Sequence, residues 1–167
     1  TPGALWLMAL SVRVFGLSSW SILLPQALLG VASAAVLYAS VPRTLSGPLS
    51  ATWTISPSRA HWAGIVGALT MALTPAATLM FRFNNPDALL VLLLTLAAYA
   101  VLRAQETAST RWLLLAAACT GTGFLAKMLQ AFLVVPVFAG VYLAAAPGPV
   151  RRRLVQLAAA GGVLLAS

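Results

Sequence analysis

In this chain of 167 residues 61% are hydrophobic and only 7% charged, with a mean hydropathy of +0.97. A soluble domain carries about 25% charged residues, so the composition excludes one and points to an all-α, polytopic transmembrane helical bundle. The net charge of +8 does not mark a nucleic-acid partner, because the ten basic residues are dispersed between apolar runs and form no stripe.

Residues Gly3 to Leu17 are apolar apart from Ser11 and Arg13, too short and too charged to span, and are expected to lie in the interface. They lack a basic leader and a small-residue cleavage site, so they do not read as a signal peptide. Gly16, Ser18 and Ser19 break this segment. Trp20 to Val41 is then 22 residues without charge, long enough to cross a bilayer, with Pro25 near its start. Arg43 to Arg59 reads as a loop from its Pro, Gly, Ser and Thr content, with Trp53 expected at the interface. Ala60 to Phe81 is a second uncharged run of 22 residues, flanked by His61 and Trp62 at one end and Phe81 at the other. His61, the lone histidine, reads as a solvated interface residue.

The turn Arg82-Phe83-Asn84-Asn85-Pro86-Asp87 follows, then a third apolar run from Ala88 to Leu102. Its 15 residues rise only about 22 Å against a core of about 30 Å, so Asp87 or Arg103, or both, lie at or below the headgroups. Arg103 to Arg111 is a polar loop. Trp112 to Ala146 holds 35 residues whose sole charge is Lys127, about 52 Å as one helix and therefore too long for a single crossing. Two spans meeting near Lys127 are expected, although no Gly or Pro marks the turn. That parity puts Arg43, Arg59, Arg103, Arg111, Arg151, Arg152 and Arg153 on one side, expected to be cytoplasmic, against Arg13, Arg82 and Lys127 on the other. The Arg151 to Arg153 cluster serves mainly to fix orientation, with anionic-lipid contact as a second role.

The run Leu154 to Ala166 reads as a truncated last span. Both chain ends look like cuts, and at least one more span is expected to follow in a longer parent. Residues 1–167 thus read as one fragment of a multi-span domain, with 1–19 interfacial and 20–167 forming about five full spans and the truncated one. A lone Cys119 in an apolar run excludes an intrachain disulfide and a cysteine metal cluster, and reads as a buried small hydrophobe.

The topology gathers Arg82, Asp87 and Lys127 on the outer face. Asn85 is suited to cap the next helix, Pro86 to its first position, and Asp87 to its first turn, where the helix dipole favours a carboxylate. Ionisable groups beside apolar runs are costly, which makes each a functional candidate. Asn84 beside Asn85 exceeds what one cap requires. Lys127 fits either a snorkelling interface residue or a point charge for a phosphate. Gly121-Thr122-Gly123 lacks the spacing of a phosphate loop, and its glycines are expected to allow close helix packing. Arg13 and Gln130 are outer-surface polar groups without an assigned role.

At these residues the chain resembles bacterial polytopic glycosyltransferases of family 39, related to protein O-mannosyltransferases and to the 4-amino-4-deoxy-L-arabinose transferase of lipid A. Leu5-Trp6-Leu7-Met8-Ala9-Leu10, Phe15-Gly16-Leu17 and Trp20-Ser21 resemble the segment after the family's first outer loop. Arg82 to Asp87 resembles its second outer loop, and Phe124-Leu125-Ala126-Lys127 the motif whose lysine binds the polyprenyl phosphate. Two departures stand out: a Lys-Pro-Pro motif is reduced to Thr1-Pro2-Gly3, and Met128-Leu129 replace a frequent Gly-Pro.

The resemblance implies a bacterial inner-membrane enzyme of glycosyltransferase C type that moves a sugar from a polyprenyl-phosphate donor to a hydroxyl of a glycan, lipid or protein acceptor on the periplasmic side. It implies Asp87 as a catalytic residue, Arg82, Asn84, Asn85 and Lys127 as substrate-binding residues, and a divalent metal as an option at Asp87. The family's principal acid would lie upstream of Thr1, so the fragment alone is expected to be inactive. A secondary transporter lined by Arg82, Asp87 and Lys127 is the rival. Transporter sites sit near the bilayer midplane, often between inverted repeats, whereas these charges sit at span ends and no repeat is visible.

Overall fold

The computed structural model describes residues 2–46 and 55–167, and every element among them is helical. Helix α1 (Pro2–Phe15) stops at Gly16, whose φ of +75° is one that glycine adopts without a Cβ penalty. Ser18 and Ser21 then form a reciprocal capping box: Ser21 N donates to Ser18 Oγ at 3.2 Å, and Ser18 N donates to Ser21 Oγ at 3.0 Å. This pair starts α2 (Ser19–Ser46), which runs beyond the expected end at Val41 and through Pro42.

Pro42 has no N–H for the Tyr38 carbonyl, and a second helix uses the freed space. Gly64 of α3 (Pro57–Leu73) sits there so closely that a Cβ would lie 2.9 Å from Tyr38 O and 3.0 Å from Pro42 Cγ. Tyr38 Oη also lies 3.0 Å from His61 Nδ1, so the exposed histidine has a partner across α2 and α3. The expected interface contact of Trp53 lies outside the described residues.

The run from Ala60 to Phe81, expected as one span, is broken. Pro75 holds Thr74 in an extended conformation, and α3 meets α4 (Pro75–Arg82) at 62°. Thr74 N and Oγ1 both turn back to Thr70 O, at 2.9 and 2.6 Å, and close the end of α3. Helix α4 then lies over α2, with the Phe81 ring occupying the space above Gly30, where a Cβ would come within 2.6 Å of the ring.

Helices α5 (Asp87–Thr107) and α6 (Thr110–Lys127) form an antiparallel hairpin, turned by Ala108 at φ 51°. A short 3-10 segment (Met128–Val134) leads to α7 (Val135–Ala145). Thr110 to Ala145 is 36 residues, about 54 Å if straight. Instead Tyr142 packs among Ala104, Leu113 and Ala117, and Gln105 Nε2 donates to Val141 O at 3.0 Å, so α7 runs back toward the α5–α6 turn, packed on α5. The reversal at Lys127 is the one expected from the charge parity.

Helix α8 (Val150–Ala166) then runs parallel to α6. Gln156 ties it in, accepting from Tyr142 Oη at 2.9 Å and donating to Thr110 Oγ1 at 2.8 Å. The glycines of α6 serve packing, as expected: a Cβ on Gly121 would lie 2.8 Å from Leu164 O, and one on Gly123 would lie 3.2 Å from Ala131 Cβ. Cys119 is free and buried among Ala97, Ala100, Val101 and Ala116.

By length and composition three stretches are apolar enough to cross a membrane, α2, α5 and Thr110–Ala145, the last of which doubles back at Lys127, or four if the bent α3 and α4 count as one. This is an all-α membrane bundle. Its two ends differ in charge. At the α5–α6 turn end, Glu106 Oε2 accepts from Arg103 at 2.8 Å and from Arg43 at 3.3 Å. Arg43 lies over Tyr99 and Arg103 over Trp112, which holds both guanidiniums against ring faces. Arg111 at the start of α6 and Arg151 to Arg153 at the start of α8 belong to this end. The start of α5 and the end of α6 lie at the other.

Candidate functional site

The candidate site begins with the turn between α4 and α5. Phe83 is extended after Arg82, and Asn85 Oδ1 accepts from Asp87 N at 3.0 Å, the side-chain bond of a helix cap. Pro86 is already helical in φ and ψ and Leu90 N donates to Pro86 O at 3.3 Å, so the first turn opens at the proline. Asn85 Nδ2 in turn reaches Met80 Sδ at 3.2 Å. The cap fixes Asp87 at the helix start, where the backbone dipole favours its charge.

Lys127 arrives from the opposite direction as the last residue of α6, and its Nζ makes an ion pair with Asp87 Oδ1. The carboxylate is the inner partner, 12% exposed at the side chain against 39% for the lysine. Beneath the pair lies a small apolar floor of Leu90, Ala126 and Ala131, with Leu89 and Leu94 packed against it. The backbone after the lysine is unusual: Lys127 has φ −151° and ψ 40°, and Met128 has φ 48° and ψ −134°. Non-glycine residues seldom adopt such a positive φ, and the turn without Gly or Pro is made at this cost. Gly3 of α1 also abuts this end, where a Cβ would lie 3.4 Å from the Leu125 carbonyl carbon.

Of the residues singled out in the sequence, the structure brings together Asp87, Asn85 and Lys127. Asn84 is exposed on the turn, and Arg82 is exposed in a separate groove of about 540 Å3. That groove is lined by Ser19, Trp20, Leu23, Leu24, Ala27 and Phe81, and Arg82 is its cation. Arg13 and Gln130 are exposed. Sequence alone missed Met80 beneath Asn85 and the apolar floor, which have no local signal because tertiary packing assembles them. The Arg43–Glu106–Arg103 cluster was missed as well. Its Arg103–Glu106 half is an i,i+3 pair readable on one helix, but Arg43 comes from α2.

The site's one carboxylate is engaged by Lys127, and no group of three or more His, Cys, Asp or Glu occurs among the described residues.

An ammonium and a carboxylate thus meet at one end of an apolar bundle, and Arg82 lines a separate groove. Comparison with known sequences gives that geometry a family. Residues 1–167 match the family described as dolichyl-phosphate-mannose-protein mannosyltransferase. The chain belongs to this family. It is also 36% identical over 165 residues to YkcB of Bacillus subtilis (strain 168), covering 99% of this chain and 21% of that protein. YycA of the same strain is 36% identical over 156 residues, covering 93% of this chain and 21% of its own length. Both relatives are named as candidate mannosyltransferases, and the chain spans about a fifth of each. No solved structure matches. In this chain the segments Arg82 to Asp87 and Phe124 to Lys127 meet at their ends in the ion pair.

Proposed function

We propose that the intact protein is a membrane glycosyltransferase that moves a sugar from a polyprenyl-phosphate donor to an acceptor hydroxyl on the outer face of a bacterial cell membrane. The observation that carries this reading is the Asp87–Lys127 pair at one end of the bundle, opposite the end where arginines gather. Basic residues favour the cytoplasmic side, which leaves Asp87 and Lys127 facing outward. Family membership favours the enzyme over the transporter.

As the bond from the sugar's anomeric carbon to the phosphate oxygen breaks, negative charge grows on the departing lipid phosphate. Lys127 would supply an ammonium to stabilise that charge. Arg82 would meet the same phosphate, or a neighbouring lipid one, from the α2–α4 groove, whose Trp20, Leu23 and Leu24 offer an apolar bed for an isoprenoid chain. Asn84, exposed on the turn, would donate and accept hydrogen bonds with sugar hydroxyls, while Asn85 holds the turn. Proton removal from the acceptor would fall to a carboxylate base supplied by another part of the intact protein, since Glu106 sits at the far end. Helix α1 would lie at the interface, with its start against the site end of α6.

The test is binding of the donor by the intact parent. Lys127→Ala is expected to weaken donor affinity by tenfold or more, about 1.4 kcal/mol, and Lys127→Arg to weaken it less because the charge remains. Unchanged affinity in Lys127→Ala would leave the lysine only a snorkelling role.

A further inference from the structure

We infer that Asp87 is the resting counter-ion of Lys127 and acts through it, so that the arriving lipid phosphate displaces the carboxylate and the returning carboxylate expels the spent lipid phosphate. This rests on the proposed phosphate role of Lys127 and adds a residue and a step to it.

Three observations support it. The Lys127 ammonium is occupied by Asp87, so a phosphate approaching Nζ meets a lysine already paired. The partners are unequally placed: the Asp87 carboxylate is largely buried at the start of α5, on a backbone whose N–H donates to Asn85 Oδ1 at 3.0 Å, whereas Lys127 remains partly exposed. The lysine is therefore the partner an incoming group can reach. The constrained joint at Lys127 and Met128 ends the helix at the lysine and fixes where its stem emerges.

The exchange moves no proton. A lysine ammonium passes from carboxylate to phosphate and back, and two anions compete for one cation. Competition of this kind makes the occupants mutually destabilising, by a factor that falls typically between about 5-fold and 150-fold for coupled ligands. Asp87 is thus a positioning residue: it holds Lys127 ready before the donor arrives and shortens the stay of the lipid phosphate after transfer.

The experiment uses the purified, intact parent in detergent with geranylgeranyl monophosphate as a sugar-free probe, and inorganic phosphate as a second ligand to separate lipid from free phosphate. Asp87→Asn, which removes the competing charge, is expected to bind the lipid phosphate about fivefold tighter or more. That gain should vanish in a Lys127→Ala background. The same variant should show a lower kcat together with a lower KM, the split expected when release of the lipid product slows. A structural role would instead weaken binding or leave it unchanged, and that result in a variant that melts like the parent overturns the inference. Unchanged affinity in Lys127→Ala overturns the phosphate reading and the exchange with it, whereas Asp87→Asn that binds no tighter while Lys127→Ala still weakens binding overturns the exchange alone.

A readout without substitution covers the case in which Asp87→Asn does not fold. Carbodiimide labelling of Asp87 in the parent should rise when geranylgeranyl monophosphate is added, because the carboxylate is then released. Labelling that stays constant or falls contradicts displacement.

Discussion

At the scale of single residues, the two acids of the chain make a paired control. Asp87 and Glu106 each neutralise basic groups, but at opposite ends of α5 and with different burial. Asp87→Asn keeps size and hydrogen-bonding capacity and loses a helix-dipole contribution of roughly 0.3–1 kcal/mol, so the protein is expected to insert and fold. Multiple-turnover sugar transfer should nevertheless slow by about fivefold or more, in step with slower release of the lipid phosphate. Glu106→Gln breaks contacts to two half-exposed arginines, which costs at most about 1 kcal/mol after solvent screening, and transfer should continue. Transfer assays and melting curves on both variants check this. Met128 offers another test at this scale. The residue is 67% exposed, so Met128→Gly loses little packing while relieving a positive φ. Resistance to heat is expected to rise by about 1 kcal/mol, as measured by thermal unfolding of the parent and variant.

At the scale of elements, much of the chain was legible because apolar runs between charges report spans directly. The α5–α6 hairpin and the reversal at Lys127 follow from lengths and from charge parity, since a 54 Å helix has no place in a core of about 30 Å. The break at Thr74 was hidden by uniform hydropathy, although Pro75 marked it locally. The extension of α2 past Pro42 was hidden too, because the space left by the missing N–H is occupied by Gly64 of another helix. Within the site, Asn85, Asp87 and Lys127 were readable as isolated polar residues. The separation of Arg82 into its own groove was not, since it depends on how α4 bends back over Gly30. Gly64→Val is expected to destabilise by about 1–3 kcal/mol, because the carbonyl it would strike belongs to a packed helix and cannot swing away. Reduced protein level and an earlier thermal transition would show it.

At the scale of the whole molecule, charge asymmetry gives the bundle its direction. Arg43 and Arg103 gather on Glu106 at one end, with Arg111 and Arg151 to Arg153 at helix starts beside them, while Asp87 and Lys127 close the other. The expected orientation places Ser109 inside and the Asp87 turn outside. In a Cys119→Ala background, Ser109→Cys should react with a membrane-impermeant thiol reagent only after the membrane is opened, and Asn84→Cys should react in intact cells. The reverse pattern would put the pair on the cytoplasmic side. The central claim, that this end of the bundle acts on a lipid-linked sugar, is tested most directly by single-turnover sugar transfer from a polyprenyl-phosphate donor by the purified parent and its Lys127→Ala variant. The account predicts a fall of about a hundredfold or more in the variant with an unchanged melting curve. Transfer within about twofold of the parent would contradict it.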